Sequence, residues 1–297
     1  MTEAGERLLD ELRPYAFAIA YRMLGSVSEA EDIVQEALLR VHRASEEGVR
    51  FVSPRAYVAT VTTRLAIDEL RSARARREQY VGEWLPEPII EDPDSDPARQ
   101  AEVADSLSMA FLVLLESLSA EQRAAFLLRD VFDYGYGEIA DIVGTSEENA
   151  RQLAARARRH VSERRPRFEV SSDEHRELAR RFFSAARAGD LAGLEELLAG
   201  EVVLHGDGGG KAPALAHAIR GRSHVARTLL AWWRFGARRD GSARLVDVNG
   251  RPGALLFEGD RLVGVMAVEI ADGTVVAVQS VVNPDKLRHL GTVVPGT

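Results

Sequence analysis

Residues 151–160 read RQLAARARRH: four arginines, a terminal histidine and no carboxylate, in a chain of net charge −8. A guanidinium is a planar fork that fits phosphate oxygens and the guanine edge, so nucleic-acid binding is the chemistry such a segment offers. Placed on a helix, Gln152, Arg156 and Arg159 form one stripe at steps of four and three. Arg151 and Arg158 form the adjacent stripe. Asn149 and Gln152 carry amides able to read base edges, while the arginines grip phosphates or guanine. The competing reading is a solvated basic face on an ordinary helical bundle. Glu147 and Glu148 suit a helix N-terminus but would repel phosphate there.

Other residues invite chemistry less well. Gly208, Gly209, Gly210 and Lys211 suggest a phosphate loop, but the required spacing is absent and Ala212 stands where Ser or Thr is needed. The string is then either a turn that needs glycine's backbone freedom, or a contact loop. In the contact reading, Asp207 and Lys211 pair with distant charges, Asp285 and Lys286 being natural partners. His205, Asp207, His217, Trp232 and Trp233 could line a pocket, with His205 and Asp207 as a minimal acid–base pair. Residues two apart on a strand share a face in any case, so no catalytic residue is assigned. The chain has no cysteine, and His205, His217 and His224 show no metal spacing. No metal and no cofactor are therefore expected.

The arginine helix belongs to YGYGEIADIVGTSEENARQLAARARRHV. Tyr136, Ile139, Ala140 and Val143 give a short helix one face, Gly144 allows a tight turn, and Ser146 caps a second helix. Ala150, Leu153, Ala154, Ala157 and Val161 form the inward face of that helix. This is a helix-turn-helix pattern with a recognition helix second. Upstream, Leu8, Leu12, Tyr15, Ile19 and Met23 line one helix face. Ser28 with Glu31 reads as a capping box for a helix carrying Ile33, Ala37 and Val41. Ser53 and Pro54 open a further helix, with Tyr57, Val61, Leu65 and Leu70 as its buried stripe. It ends in a second basic cluster, Arg71, Arg74, Arg76 and Arg77.

Residues 81–104 change character. Pro86, Pro88, Pro93 and Pro97 alternate with Glu83, Glu87, Glu91, Asp92, Asp94 and Asp96, the composition of a linker. From about Ser171, which reads as a helix cap with Glu174, two helices precede strand-like runs at 201–206, 243–248, 253–259, 261–270 and 274–282. Hairpin signals lie at Asn249-Gly250, Gly259-Asp260 and Asp272-Gly273. One more helix, SHVARTLLAWWRF, sits between the first two strands. Helices with a curved antiparallel sheet make an α+β domain.

The length of 297 residues fits two or three domains, and 45% apolar residues suffice for real cores. No apolar run approaches the ~20 residues of a membrane span, and the N-terminus lacks the basic start and apolar block of a signal peptide. A cytoplasmic protein without membrane contact is expected. Almost all the cations are arginine, the two lysines being Lys211 and Lys286.

Two helical modules, each with a basic element, joined by an acidic linker, resemble a bacterial sigma factor of the extracytoplasmic-function group. The segment SEAEDIVQEALLRVHR resembles its region 2.2, which docks on the coiled coil of the polymerase β′ subunit. Asp32, Gln35 and Glu36 take the matching positions, on the face opposite Ile33 and Ala37. SPRAYVATVTTRLAIDELRSARARR resembles regions 2.3 and 2.4, which capture and melt the −10 element. The resemblance implies that role for Arg55, Tyr57, Arg64, Arg71 and Arg74. Tyr57 stands where a Trp or Tyr is usual and can stack on an unpaired base; plain core packing is its other reading. Arg64 stands where many relatives have Asn. SAEQRAAFLLRDVFDYGYGEIADIVGTSEENARQLAARARR resembles region four, which reads the −35 element.

WLPEP (84–88), DGGGK (207–211) and NPDKL (283–287) resemble the signatures of the subgroup with a fused SnoaL-like domain, a cone of helices and sheet. In that subgroup the extension takes the place of a separate anti-sigma factor. The expected fold is thus multidomain: an all-α region two (1–80), a linker (81–104), an all-α region four with the helix-turn-helix (105–165), and a SnoaL-like α+β domain (171–291). Trp84, Pro86, Asp207, Lys211, Asn283, Asp285 and Lys286 are the expected interdomain regulatory residues. Expected partners are core RNA polymerase through its β′ and β subunits, promoter DNA and the chain's own C-terminal domain, with a small-molecule ligand as a further candidate. The protein is expected not to be an enzyme. The rival readings are a ligand-sensing one-component helix-turn-helix regulator that does not dock on polymerase, and an enzyme with a DNA-binding tether. Asp32, Gln35 and Glu36 separate the first rival from a sigma factor, since a repressor has no use for them.

Overall fold

Leu12, Ile19 and Met23 are buried along α1 (Glu3–Leu24), with Leu8 and Tyr15 half-buried on the same face. The computed structural model of the chain describes residues 3–49, 51–77, 79–90, 107–164 and 172–291. Helix α2 (Val27–Glu46) buries Ala30, Ile33, Val34, Ala37 and Val41. Its N-cap is Ser26, whose hydroxyl accepts the Glu29 amide at 3.2 Å, so the expected cap at Ser28 with Glu31 is corrected by two residues. Helix α1 ends at Leu24, leaving only Gly25 and Ser26 before α2, and the first serine takes the cap.

Helix α3 (Pro54–Arg77) is capped by Ser53, which accepts the Ala56 amide at 3.2 Å. Its buried side is Val58, Ala59, Thr62, Thr63, Ala66, Ile67 and Leu70. The expected stripe is therefore rotated: Tyr57, Val61 and Leu65 are only half-buried. Small residues and two threonines line the seam against α1 and α2, and a reading by apolarity passes over them.

Helix α4 (Met109–Leu115) is followed by α5 (Ala120–Asp130), α6 (Tyr136–Val143) and α7 (Glu147–Arg164). Ser119 and Gln122 form a capping box at the start of α5. Gly144 ends α6 in the left-handed region (φ 77°), which a β-carbon would disfavour. Ser146 then accepts the Asn149 amide at 3.2 Å and starts α7. Ala125, Leu128, Ile139, Ala140, Ile142, Ala150 and Ala154 pack the three helices together. The alanines let α7 cross closely, as a helix-turn-helix requires.

The remaining elements are α8 (Ser172–Ala188), α9 (Leu191–Leu197), β1 (Leu198–Asp207), β2 (Ile219–Arg220), α10 (Arg222–Ala237), β3 (Gly241–Val248), β4 (Arg251–Glu258), β5 (Arg261–Ala271), β6 (Thr274–Val281) and a 3₁₀ helix (Pro284–Leu290). The six strands form one sheet in the order β2-β1-β6-β5-β4-β3. All neighbours are antiparallel except β1 and β6, which run parallel because α10 and the β3–β5 meander separate them in sequence. Asn249-Gly250 and Asp272-Gly273 turn with positive φ at both residues, as two-residue hairpins of the primed type demand. One sheet face packs Leu204, Met266, Val268 and Val278 against Phe182, Phe183, Leu194 and Leu229 of the helices. The other packs Val248, Leu255, Phe257, Val265 and Val281 against Leu85, Met109 and Leu287.

By contact the chain divides into two compact units. One holds the described residues of Met1–Gln79 and Leu114–Arg165; the other holds those of Tyr80–Val113 and Pro166–Thr297. Residues 80–90, which compose like the start of a linker, belong to the second unit, and Leu85, Pro86, Glu87 and Pro88 are buried in it. The rest of the linker stretch, 91–104, and the expected cap at Ser171 lie outside the described residues. No helix among the described residues is long and apolar enough to cross a membrane.

Candidate functional site

Helix α7 presents Asn149, Arg151, Gln152, Arg156, Arg158 and Arg159 to solvent, all six of the residues expected to face the −35 element. The two arginine stripes differ in what holds them. Gln152, Arg156 and Arg159 have no side-chain partner among the described residues. Arg158 is tied to Asp130 of α5, with Nη2 at 2.8 Å and Nε at 2.9 Å, and this hydrogen bond raises its pKa above the ordinary guanidinium value. Arg151 pairs with Glu147 at 2.8 Å and lies 5.1 Å from the Tyr136 ring centre. Arg129 flanks the same ring at 5.2 Å. Asn149 donates to the Thr145 hydroxyl at 2.7 Å. Tyr136 and Asp130 thus organise the fan of arginines. The sequence reading used Tyr136 only as core and passed over Asp130.

On α3, Tyr57, Arg64 and Arg71 are seven residues apart and share a face. Tyr57 is half-buried against Phe51, ring centres 4.8 Å apart. Arg55 is exposed, its guanidinium 4.0 Å from the Tyr15 ring centre. Arg64 donates to the carbonyls of Asp141 at 2.6 Å and Ile142 at 3.0 Å. Arg71 donates to Glu121 at 2.7 Å and to Asp68 at 3.3 Å. The Arg74 side chain lies outside the described residues. On α2, Asp32 and Gln35 are exposed, and Glu36 pairs with Arg40 at 2.7 Å. Leu39 joins them on that face at 39% exposure, which makes the patch part apolar, as a protein-binding surface needs.

In the second unit the three signature strings converge on one buried ion pair. Asp207, fully buried at the end of β1, receives Lys286 Nζ at 2.7 Å, the Leu85 amide at 2.8 Å and the Tyr80 hydroxyl at 2.6 Å. Lys286 Nζ also donates to the Leu85 carbonyl and lies 4.1 Å from the Trp84 ring centre. Asn283 donates to the Tyr80 hydroxyl at 2.8 Å. Burial, and then the bond to Asp207, push the Tyr80 pKa up, so the phenol stays a donor. Lys211 pairs with Asp285 in a more exposed second link. Nearby, Glu83 meets His205 Nδ1 at 3.1 Å and the Gly206 amide at 3.3 Å. Burial alone would raise the Glu83 pKa, but these bonds outweigh it and hold the carboxyl below its usual range. Asn249 clasps Ile89 through both backbone groups.

The structure therefore brings together Trp84, Pro86, Asp207, Lys211, Asn283, Asp285 and Lys286, and adds Tyr80 and Leu85, which the sequence reading missed. Lys286 reaches Asp207, whereas Lys211 reaches Asp285. The expected pocket is not assembled. His205 and Asp207 face residues 80–85, Trp232 and Trp233 pack against the core on the helix side of the sheet, and His217 is exposed.

The triple glycine is sterically required. A β-carbon on Gly208 would sit 2.2 Å from the Ala212 carbonyl oxygen. On Gly209, at φ +56°, it would sit 2.2 Å from Asn283 Nδ2. Left-handed backbone and overpacking together set the expected cost of Gly209→Ala at about 2–4 kcal/mol. A thermal melt of the variant checks this; an unchanged melting temperature would show that the loop moves freely.

Comparison with known proteins gives the following. The Sigma-70 region 2 family model matches residues 8–76, and the Sigma-70, region 4 model matches residues 108–161. The ECF RNA polymerase sigma factor SigJ of Mycobacterium tuberculosis is 40% identical over 287 residues, covering 93% of this chain and 91% of that protein. The probable ECF RNA polymerase sigma factor SigI of the same species is 33% identical over 291 residues, covering 94% and 93%. The crystal structure of M. tuberculosis SigJ superposes with a TM-score of 0.78 at 36% identity, covering 98% of this chain and all of that one.

Proposed function

Since the chain belongs to the extracytoplasmic-function sigma factors of RNA polymerase and so directs promoter-specific transcription initiation, we propose how its residues divide that work. Helix α7 enters the major groove at −35, with Gln152, Arg156 and Arg159 making the first contacts because their side chains are unengaged. Asn149, Arg151 and Arg158 complete that surface once their present partners let go. Helix α3 takes the −10 strand with Arg55, Tyr57, Arg64, Arg71 and Arg74. Helix α2 docks on core polymerase through Asp32, Gln35 and Glu36, with Leu39 as the apolar centre of the patch.

The SnoaL-like C-terminal unit regulates by holding the connection between the two helical modules. The observation that carries this reading is the bonding of residues 80–90 to Asp207, Asn249 and Lys286. A connection that is hydrogen-bonded along its first eleven residues has less slack than a free linker, which limits the separations the modules can adopt.

Two substitutions and one truncation test the division of work. Asp32→Arg with Gln35→Ala should weaken capture of core polymerase by roughly tenfold or more while leaving the thermal melt unchanged. Truncation just before Asn283 removes Asn283, Asp285 and Lys286 and should change run-off yield several-fold. Unchanged polymerase capture would remove the α2 assignment, and equal run-off yields would remove the regulatory role of the anchor.

A further inference from the structure

Residues 220–239 read RGRSHVARTLLAWWRFGARR, with six arginines and no carboxylate. Most of the stretch is α10, whose Val225, Ala226, Leu229 and Leu230 are buried in the core of the C-terminal unit. Its other face shows Arg227, Ala231, Arg234 and Arg238 to solvent, at steps of four, three and four. Arg220 and Arg222 are exposed at the start of the helix. None of these five arginines has a side-chain partner among the described residues. Elsewhere in the same unit exposed arginines meet carboxylates: Arg176 meets Asp247 at 2.8 Å, Arg180 meets Glu177 at 2.5 Å and Arg288 meets Asp285 at 2.6 Å. Glu195, the carboxylate that α10 does reach, is bound by Ser223 at 2.7 Å and not by an arginine.

Helix stability does not account for this row. Cations suit only the last turn of a helix, yet Arg222 stands in the first turn, which holds no acidic residue, and Arg227 stands mid-helix. Arg234 and Arg238, four apart, repel each other by about 0.2–0.5 kcal/mol. The missing counter-charge therefore lies outside the chain. A lipid surface would need an apolar face beside the cations, but the one large apolar side chain that α10 exposes is Phe235. A single strand would need stacking platforms, and the Phe235 ring already has Arg239 4.3 Å from its centre. A duplex needs neither. From Arg227 to Arg238 the row is about 16 Å long, enough to follow several phosphates spaced at about 3.4 Å of rise along one strand.

We propose that α10 is a further DNA-binding surface of this chain, placed on the C-terminal unit and separate from the −35 and −10 readers. Phosphates of the duplex flanking the promoter elements neutralise Arg227, Arg234 and Arg238, while Arg220 and Arg222 add to the positive field at one end. The exposed face of α10 carries no Asn or Gln, so the surface contributes affinity and on-rate rather than a sequence preference. The polyanion is at hand, because a sigma factor works on duplex DNA. The inference goes beyond the division of work among α2, α3 and α7 and does not depend on it.

The test uses the full chain and a duplex that carries a promoter with long flanks. Arg227→Gln, Arg234→Gln and Arg238→Gln together should weaken binding roughly tenfold and flatten the salt dependence by about three phosphate contacts. The loss should be as large on a duplex with both elements scrambled, and should add to that of Arg156→Ala with Arg159→Ala. Arg181→Gln with Arg187→Gln, exposed on α8, is the charge control and should lose little. Unchanged affinity of the triple variant, or an equal loss in the control, overturns the proposal and leaves the α7 assignment standing. A triple variant that keeps its DNA affinity but no longer binds phosphatidylglycerol vesicles overturns it in favour of a lipid surface. A second measurement leaves the arginines in place. The chain has no cysteine, so Ala231→Cys, in the middle of the row, can carry a single photocrosslinker. With core polymerase and the promoter duplex present, the adduct should form on DNA. An adduct confined to polymerase subunits overturns the proposal and makes α10 a protein-docking face.

Discussion

Asp207→Ala is expected to destabilise the C-terminal unit by about 3–5 kcal/mol, because it leaves the Lys286 ammonium buried without its counter-ion. Asp207 is fully buried and the Lys286 side chain is 8% exposed, so water cannot replace the lost partner without local opening. The Leu85 amide and the Tyr80 hydroxyl lose their acceptor in the same step. At roughly 2–4 °C per kcal/mol for a unit of this size, the melting temperature should fall by ~6–20 °C. Protease cleavage within residues 80–90 should accelerate. Lys286→Met leaves the opposite charge unpaired and should behave alike, whereas removing both charges together should cost less than either single change. A double variant as unstable as the sum of the singles would mean that the two groups do not act as a pair.

The second large effect is expected on DNA. Arg156→Ala with Arg159→Ala removes two cations that no side chain in the described structure engages. Affinity for a duplex carrying the −35 element should fall roughly 10–100-fold, and the salt dependence should flatten by about two phosphate contacts. Arg187→Ala, on the exposed side of α8, is the control and should leave both quantities unchanged. Arg158→Ala should cost less than either residue of the pair, because Arg158 must first give up Asp130. Equal losses from Arg156→Ala and Arg187→Ala would remove the groove assignment.

Much of the scaffold is legible in the sequence because its signals are local. The 3.6-residue period gives α1, α2 and the helix-turn-helix pair; Ser53 and Ser146 mark helix starts; Asn-Gly and Asp-Gly mark hairpins. The rest depends on partners far away in the chain. The seam of α3 is lined by Thr62, Thr63 and alanines, which no hydropathy count selects. Strand β2 has two residues, too few for any period. Residues 80–90 compose like a linker because prolines and carboxylates dilute Trp84 and Leu85, yet those two find their partners in Asp207 and Lys286, more than a hundred residues away. Likewise, alternation along β1 puts His205 and Asp207 on one face without saying that residues 80–85 cover it. Nor could the sequence show that Arg64 and Arg71 already hold acceptors, since those lie 50 to 78 residues further on.

The central claim is that this chain selects promoters for RNA polymerase and that its C-terminal unit tunes the outcome. Run-off transcription with core polymerase on a library of promoter templates tests it most directly, comparing the full chain with truncations at about Pro166 and just before Asn283. The account predicts promoter-dependent transcripts that vanish with core polymerase alone, and yields that change on truncation. Transcripts indifferent to the added chain, together with no binding of core polymerase by any of the three forms, would contradict it.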